Sequence, residues 1–250
     1  MTRLPLLRRF LPAILALNLI FVGGCTTQDI TDAAEAFLGG GSSEPTTGEM
    51  SNGLKQALEL GIAAGSDRLS QRDGYFMNQA IKIMMPPEAR KVENALRNIG
   101  ADFLVDEAIE LFNRAAEDAA SKAKPIFVDA IRNMSFADVR DILLGGNTAG
   151  TDYLKRTTFS PLEAAFSPVI DNSLGKVGAD RAWSEVMGRY NMIPFVEDVD
   201  TDLTAYVTNK ALDGLFFMVE KEETRIRENV NARVNDLLQR VFGWADAQAN

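Results

Sequence analysis

The chain has 250 residues, with 26 Lys and Arg against 35 Asp and Glu, a formal charge of −9 and 46% apolar residues. That composition suits a folded globular chain and excludes wholesale disorder. The chain has no histidine and a single cysteine, which excludes imidazole-based catalytic triads, ordinary His-ligated zinc, an internal disulfide and a four-Cys iron–sulfur cluster.

Arg3, Arg8 and Arg9 form a positive start, followed by the thirteen-residue apolar stretch from Phe10 to Val22. This stretch is shorter than the roughly 20 residues of a spanning helix and fits the core of a secretory signal. Val22-Gly23-Gly24-Cys25 resembles the bacterial lipobox, in which small residues fit the peptidase cleft before an acylated cysteine. Residues 1–24 therefore read as a lipoprotein signal peptide, and Cys25 as the lipid-attachment residue rather than a nucleophile. Multiple acyl chains would anchor the chain stably. Thr26, in place of the Asp that retains many lipoproteins at the inner membrane, favours the periplasmic face of the outer membrane. Removing residues 1–24 takes away three arginines and no acid, moving the charge from −9 to −12. Nucleic acid is excluded as a partner on this balance.

Residues 25–50 read as the acylated cysteine and a flexible tether, because Gly39-Gly40-Gly41-Ser42-Ser43 and Pro45 are linker chemistry. A helical domain is expected over 51–243, with a short tail at 244–250. Leu54, Leu58, Ile62 and Leu69 mark one face of a helix over about 51–70. Tyr75 to Met85 is ambiguous between helix and extended chain. The next helix starts near Pro87 and stops before Gly100. Phe103 to Ala123 predicts a long helix with Leu104, Val105, Ala108, Leu111, Phe112, Ala115 and Ala119 on its apolar face. Pro125 opens a short helix, and Ser135 with Asp138 forms a capping-box pattern for another that ends at Gly145-Gly146.

Thr148 to Thr157 reads as a helix separate from one starting at Ser160-Pro161-Leu162-Glu163, where Ser is a cap and Pro the first residue. A short helix over Asp180 to Asn191 and a long one from about Thr201 to Glu228 follow. Asn229 is expected to cap a last helix with Val234, Leu237, Leu238 and Val241 facing inward. The fold class is all-α: a single-domain bundle of roughly eight to ten helices joined by short connections.

Four segments carry a resemblance: Asn113 to Glu117, Lys124 to Ile131, the run Tyr206-Val207-Thr208-Asn209-Lys210-Ala211-Leu212-Asp213-Gly214-Leu215-Phe216, and Leu237 to Gly243. In this order and spacing the chain resembles the bacterial envelope family catalogued as domain of unknown function 4197, over roughly Gly53 to Gly243. The resemblance implies a lipoprotein-type N-terminus before a helical domain, and it implies no activity. Val230 stands where that family usually has a helix-starting proline, and Gly150-Thr151-Asp152-Tyr153-Leu154 is a looser form of its Ala-Thr-x-Tyr-Phe stretch.

Most chemistry-like patterns have simpler readings. Ser173-Leu174-Gly175-Lys176 has the spacing of a Ser–Lys nucleophile pair but stands beside glycine, without the companion motifs. Asp198-Val199-Asp200-Thr201-Asp202 resembles the opening of a calcium loop, yet Leu203 and Asn209 occupy positions that need Gly and a bidentate Glu. Asp200, Thr201 or Asp202 reads instead as a helix cap. Gly145 to Thr151 lacks the lysine of a phosphate loop. Asn113, Arg114, Glu117 and Glu223 form the candidate polar cluster, either lining a cleft for a polar head group or pairing between helices. Glu222 with Arg225 and Glu223 with Arg227 are spaced to pair along a helix. Met84, Met85, Phe112, Phe127, Phe216, Phe217 and Met218 supply core volume or an apolar ligand pocket.

The pattern favours a non-enzymatic outer-membrane lipoprotein whose helical domain binds or scaffolds. A periplasmic carrier of a lipid or other apolar ligand is the alternative, and a carboxylate hydrolase comes third. The expected partners are the membrane, through the lipid on Cys25, and an unidentified envelope protein or apolar ligand. No cofactor or metal is expected.

Overall fold

The computed structural model of the protein describes residues 44–176, 178–179, 183 and 202–249. The segment read as a signal peptide, Cys25, the expected tether up to residue 43, the acidic run 198–201 and nearly all of the helix expected over 180–191 lie outside the described residues. Eight α-helices and no strand occur among the described residues.

The first helix among the described residues, α1 (Thr47–Leu69), starts earlier than expected because Thr46 and Glu49 make a reciprocal capping box. The Thr46 hydroxyl accepts from the Glu49 N–H at 3.2 Å, and Glu49 accepts from the Thr46 N–H at 2.8 Å. The predicted stripe Leu54, Leu58, Ile62 and Leu69 is buried. Residues 70–86 then form turns and extended chain rather than helix or strand. A 3-10 turn at Pro87–Ala89 leads into α2 (Arg90–Asn98). Gly100, at φ +79°, reverses the chain where a side chain would be strained.

In α3 (Asp102–Ala120), Val105, Phe112, Ala115 and Ala119 are buried as expected, together with Ile109 and Ala116. Leu104 is exposed instead, because the buried face runs through Val105 and Ile109. α4 (Ala123–Arg132) carries Pro125 in its first turn, where the missing N–H has no helical partner. α5 (Phe136–Leu143) has the predicted capping box: Ser135 Oγ accepts from the Asp138 N–H at 3.2 Å, and Asp138 accepts from the Ser135 N–H at 2.9 Å.

The two helices expected on either side of Ser160 are one helix, α6 (Ala149–Lys176), which contains Pro161 and Pro168. Each interior proline costs about 3 kcal/mol. Leu154, Thr158, Leu162, Phe166, Ile170 and Leu174 are buried at every fourth position through both prolines. Burying each of the large apolar residues gains about 1.5–3 kcal/mol. Continuity of that stripe therefore outweighs the local break. The hydroxyls of Thr157 and Thr158 also donate backward to the carbonyls of Tyr153 and Leu154.

The helix α7 (Leu203–Glu228) is capped by Asp202, whose carboxylate accepts from the Ala205 N–H at 2.8 Å. Leu203, Val207, Ala211, Leu215 and Met218 are buried as predicted. Asn229 caps only a 3-10 turn, Val230–Ala232. The last helix, α8 (Asp236–Ala249), receives its cap from Asn235, which accepts from the Leu238 N–H at 2.9 Å. Val234 therefore lies before the helix and is exposed, while the region expected as tail is helical and buries Trp244 and Ala245.

α7 packs against α6, α1 and α3, and α8 closes over α1. One apolar core joins Leu54, Phe112, Phe127, Leu162, Leu215 and Val241. The Phe127 and Phe216 rings meet edge to face, 5.8 Å between centroids. Met84 and Phe217 are exposed rather than core.

Candidate functional site

The polar candidates fall into two separate networks. The first pins residues 73–83 to α3. Asn113, fully buried, pairs with the backbone of Ile83 on both edges: Oδ1 accepts from the Ile83 N–H at 2.9 Å and Nδ2 donates to the Ile83 carbonyl at 2.8 Å. One helical turn further, Glu117 Oε1 accepts from the N–H groups of Tyr75 and Phe76 at 3.1 and 3.2 Å. The other oxygen, Oε2, accepts from Arg114 Nη1 at 2.7 Å.

Arg114 extends this network outward. Nη2 reaches Asp73 at 2.8 Å and Glu110 at 3.1 Å, and the guanidinium lies 5.2 Å from the Phe76 ring centroid. Asp73 adopts φ +71°, a conformation that a carboxylate in a tight turn tolerates better than most side chains. Tyr75 is buried and donates its hydroxyl to the Ala211 carbonyl on α7 at 2.7 Å. Burial, and secondarily the charge of Glu117, pushes the Tyr75 phenol far above its ordinary value, so it stays a donor. The chain 73–83 thus bridges α3 and α7.

The second network holds the start of α6. Glu223 Oε1 accepts from the Gly150 N–H at 2.9 Å, and Oε2 accepts from the Thr151 N–H at 2.7 Å and the Thr151 hydroxyl at 2.8 Å. These N–H groups open a helix and have no helical partner. Glu223 is therefore a capping carboxylate supplied by another helix. Arg227 pairs with it at 2.9 Å and donates to the Ile142 carbonyl at 2.8 Å, so the end of α5, the start of α6 and α7 are tied at one point. The predicted Glu222–Arg225 pair is also present, at 2.7 Å.

Asn113, Arg114 and Glu117 are thus brought together, while Glu223 lies apart from them. The Tyr75 anchor meets α7 at Ala211, and Glu223 is about 18 Å further along that helix at 1.5 Å per residue. All four members of the cluster are engaged with backbone or one another. Sequence periodicity missed the anchor of Tyr75 and also Arg233, a buried guanidinium that donates to the carbonyls of Ile226 and Arg227 and pairs with Asp246 at 2.8 Å. Basic residues near a helix C-terminus are the signal that could have found Arg233.

The remaining motifs lie at helix ends. Ser173 and Lys176 stand in the last turn of α6. Asp202 is the cap of α7, and the rest of the acidic run lies outside the described residues. Among the described residues, no group of three or more Cys, Asp or Glu side chains is placed to hold a metal ion, and no helix is long and apolar enough to cross a membrane.

Open grooves occur among the described residues. One of about 520 Å³ lies between α4 and α6, one of about 390 Å³ between α1 and α4, and one of about 320 Å³ beside Arg227 and α8. The α1–α4 groove mixes Glu59 with Lys124 and Arg132.

The family described as "Protein of unknown function (DUF4197)" matches residues 44–243. No curated protein and no solved structure matches the chain.

Proposed function

The chain belongs to the DUF4197 family, and from that premise we propose that it is a lipid-anchored outer-membrane protein whose helical domain is a non-enzymatic binding or scaffolding module. The anchor rests on the positive start, the short apolar stretch and Val22-Gly23-Gly24-Cys25. The observation that carries the module is the engagement of the buried carboxylates. Glu117 accepts two backbone N–H groups and a guanidinium. Glu223 accepts two backbone N–H groups, a hydroxyl and a guanidinium. A general acid or base needs a lone pair or proton facing substrate. These side chains instead hold loops and helix ends rigid, which suits a preorganised docking surface.

The test uses the full chain in cells fed an alkynyl fatty acid, followed by in-cell cross-linking. The expected result is fatty-acid label on the wild type, none on Cys25→Ala, and a discrete cross-linked envelope protein that is lost when the chain is not anchored. An unlabelled wild-type chain overturns the anchor. A chain that cross-links to nothing while carrying an apolar ligand in its interior overturns the module in favour of a carrier.

A further inference from the structure

The groove between α4 and α6 plays no part in the networks above. Its volume of about 520 Å³ falls within the range of ligand sites. Pro125, Ile126 and Ala130 form one apolar wall, and Pro161 stands on the other. Tyr153 lines the groove, and its hydroxyl, open to the groove, has no hydrogen-bond partner among the described residues. It is therefore free to pair with an occupant of the groove. Burial, followed by the charge of Asp138, raises its pKa, so the group stays protonated.

Asp129 and Thr157 offer acceptors at the groove, beside Asn133, whose amide gives one N–H to Asp129. Asp129 forms no ion pair among the described residues; Oδ2 accepts from Asn133 Nδ2 at 3.3 Å and leaves Oδ1 open. The Thr157 hydroxyl donates backward to the Tyr153 carbonyl at 2.9 Å, so toward the groove it offers lone pairs. Pro161 has no N–H to give the Thr157 carbonyl one turn before it. Arg156 lies 5.6 Å from the Tyr153 ring centroid, and its charge acts on Asp138 on that side.

An acceptor-rich, negatively charged groove with apolar walls calls for an aliphatic cation. We propose that it binds a lysine side chain presented by a basic segment of a partner polypeptide. The ammonium sits at Asp129 with the Tyr153 hydroxyl and the Thr157 oxygens around it, and the methylene stem lies along Pro125, Ile126 and Pro161. Long cationic side chains bind in this divided way, with an apolar stem and a charged tip. The formal charge of −9 favours approach of such a segment. This deepens the binding-module reading and rests on it.

The test measures fluorescence anisotropy of the full chain in mild detergent with a fluorescein-labelled hexapeptide carrying two lysines among glycines and serines. The same peptide with norleucine in place of lysine keeps the stem and removes the charge. The lysine peptide is expected to bind saturably and at least about tenfold tighter than its norleucine counterpart. Asp129→Asn is expected to weaken it about tenfold and Tyr153→Phe about threefold. Glu220→Gln, which removes an exposed acid on α7, is expected to change it less than about twofold. Asp129 is exposed, and an unchanged thermal midpoint for its variant checks that the fold is intact. Equal affinity for both peptides overturns the proposal, as does equal weakening by Asp129→Asn and Glu220→Gln. So does Asp129-dependent binding to phosphatidylethanolamine vesicles without peptide binding, which would assign the groove to a lipid amine. Loss of peptide binding with an intact in-cell cross-link overturns the groove and leaves the module standing.

Discussion

Truncating Glu223 should cost more stability than any exposed substitution in the domain. Glu223 and Arg227 side chains are 4% and 8% exposed, 2.9 Å apart. Glu223→Ala leaves the Gly150 and Thr151 N–H groups without their acceptor, at about 1–3 kcal/mol for each unsatisfied buried donor. It also strands the Arg227 guanidinium, and breaking a buried pair costs about 3–5 kcal/mol. These losses overlap, so the expected total is about 4 kcal/mol, a large share of the roughly 5–15 kcal/mol that holds a domain together.

Glu223→Gln keeps one carbonyl acceptor and most of the shape, and should cost about 2 kcal/mol. The double variant Glu223→Ala/Arg227→Ala removes the stranded charge and should be less destabilised than the sum of the singles by about 2 kcal/mol. Urea denaturation followed by far-UV circular dichroism measures each value. A Glu223→Ala cost below about 1 kcal/mol with an unchanged denaturant slope would refute the capping role.

Asn113→Leu should destabilise the domain by about 3 kcal/mol and speed exchange of the Ile83 amide, its direct partner, by much more than that of the Gly150 amide; hydrogen exchange read residue by residue checks this. Gly214→Ala would place a Cβ 2.7 Å from Tyr75 Cε1 and 3.2 Å from Ile81 Cβ, and the overpacking should cost about 1–3 kcal/mol, read from the urea midpoint. Pro161→Ala should stabilise the domain by about 2 kcal/mol, because regaining helix continuity outweighs the added freedom of the unfolded chain; destabilisation would mean that Pro161 opens a separate helix. For Asp138, donation from the Ser135 hydroxyl and then the Ser135 N–H holds the folded carboxyl below its ordinary value. The stability it contributes is therefore complete above the ordinary aspartate range and lost as pH falls through the depressed value, so Asp138→Asn should flatten the acid side of the thermal-midpoint profile.

Local chemistry made much of the fold legible. The Ser135–Asp138 box, the stop at Gly100 and the stripes of α1 and α7 all depend on interactions within a few residues, and each is present. Pro161 misled because Ser160-Pro161-Leu162-Glu163 is a sound helix opening in isolation. Only the buried row from Leu154 to Leu174, packed against α7, makes the helix run through it. Val234 misled because Arg233 takes the buried position and Asn235 the cap.

The candidate site was legible in residue types rather than partners. Arg114 with Glu117 and Glu223 with Arg227 follow from helical spacing. Asn113 on Ile83 and Glu223 on Gly150 join residues distant in sequence, and no helical period encodes them. The looser Gly150-Thr151 stretch turns out to supply the N–H groups that Glu223 caps.

The most direct measurement is native mass spectrometry of the full chain released from its own membranes in mild detergent. The expected spectrum shows a chain starting at Cys25 with covalent acyl mass and a non-covalent polypeptide partner, with no small ligand retained after the partner is stripped. A chain lacking acyl mass at Cys25, or one that keeps a stoichiometric apolar ligand and no partner, would contradict a lipid-anchored binding module.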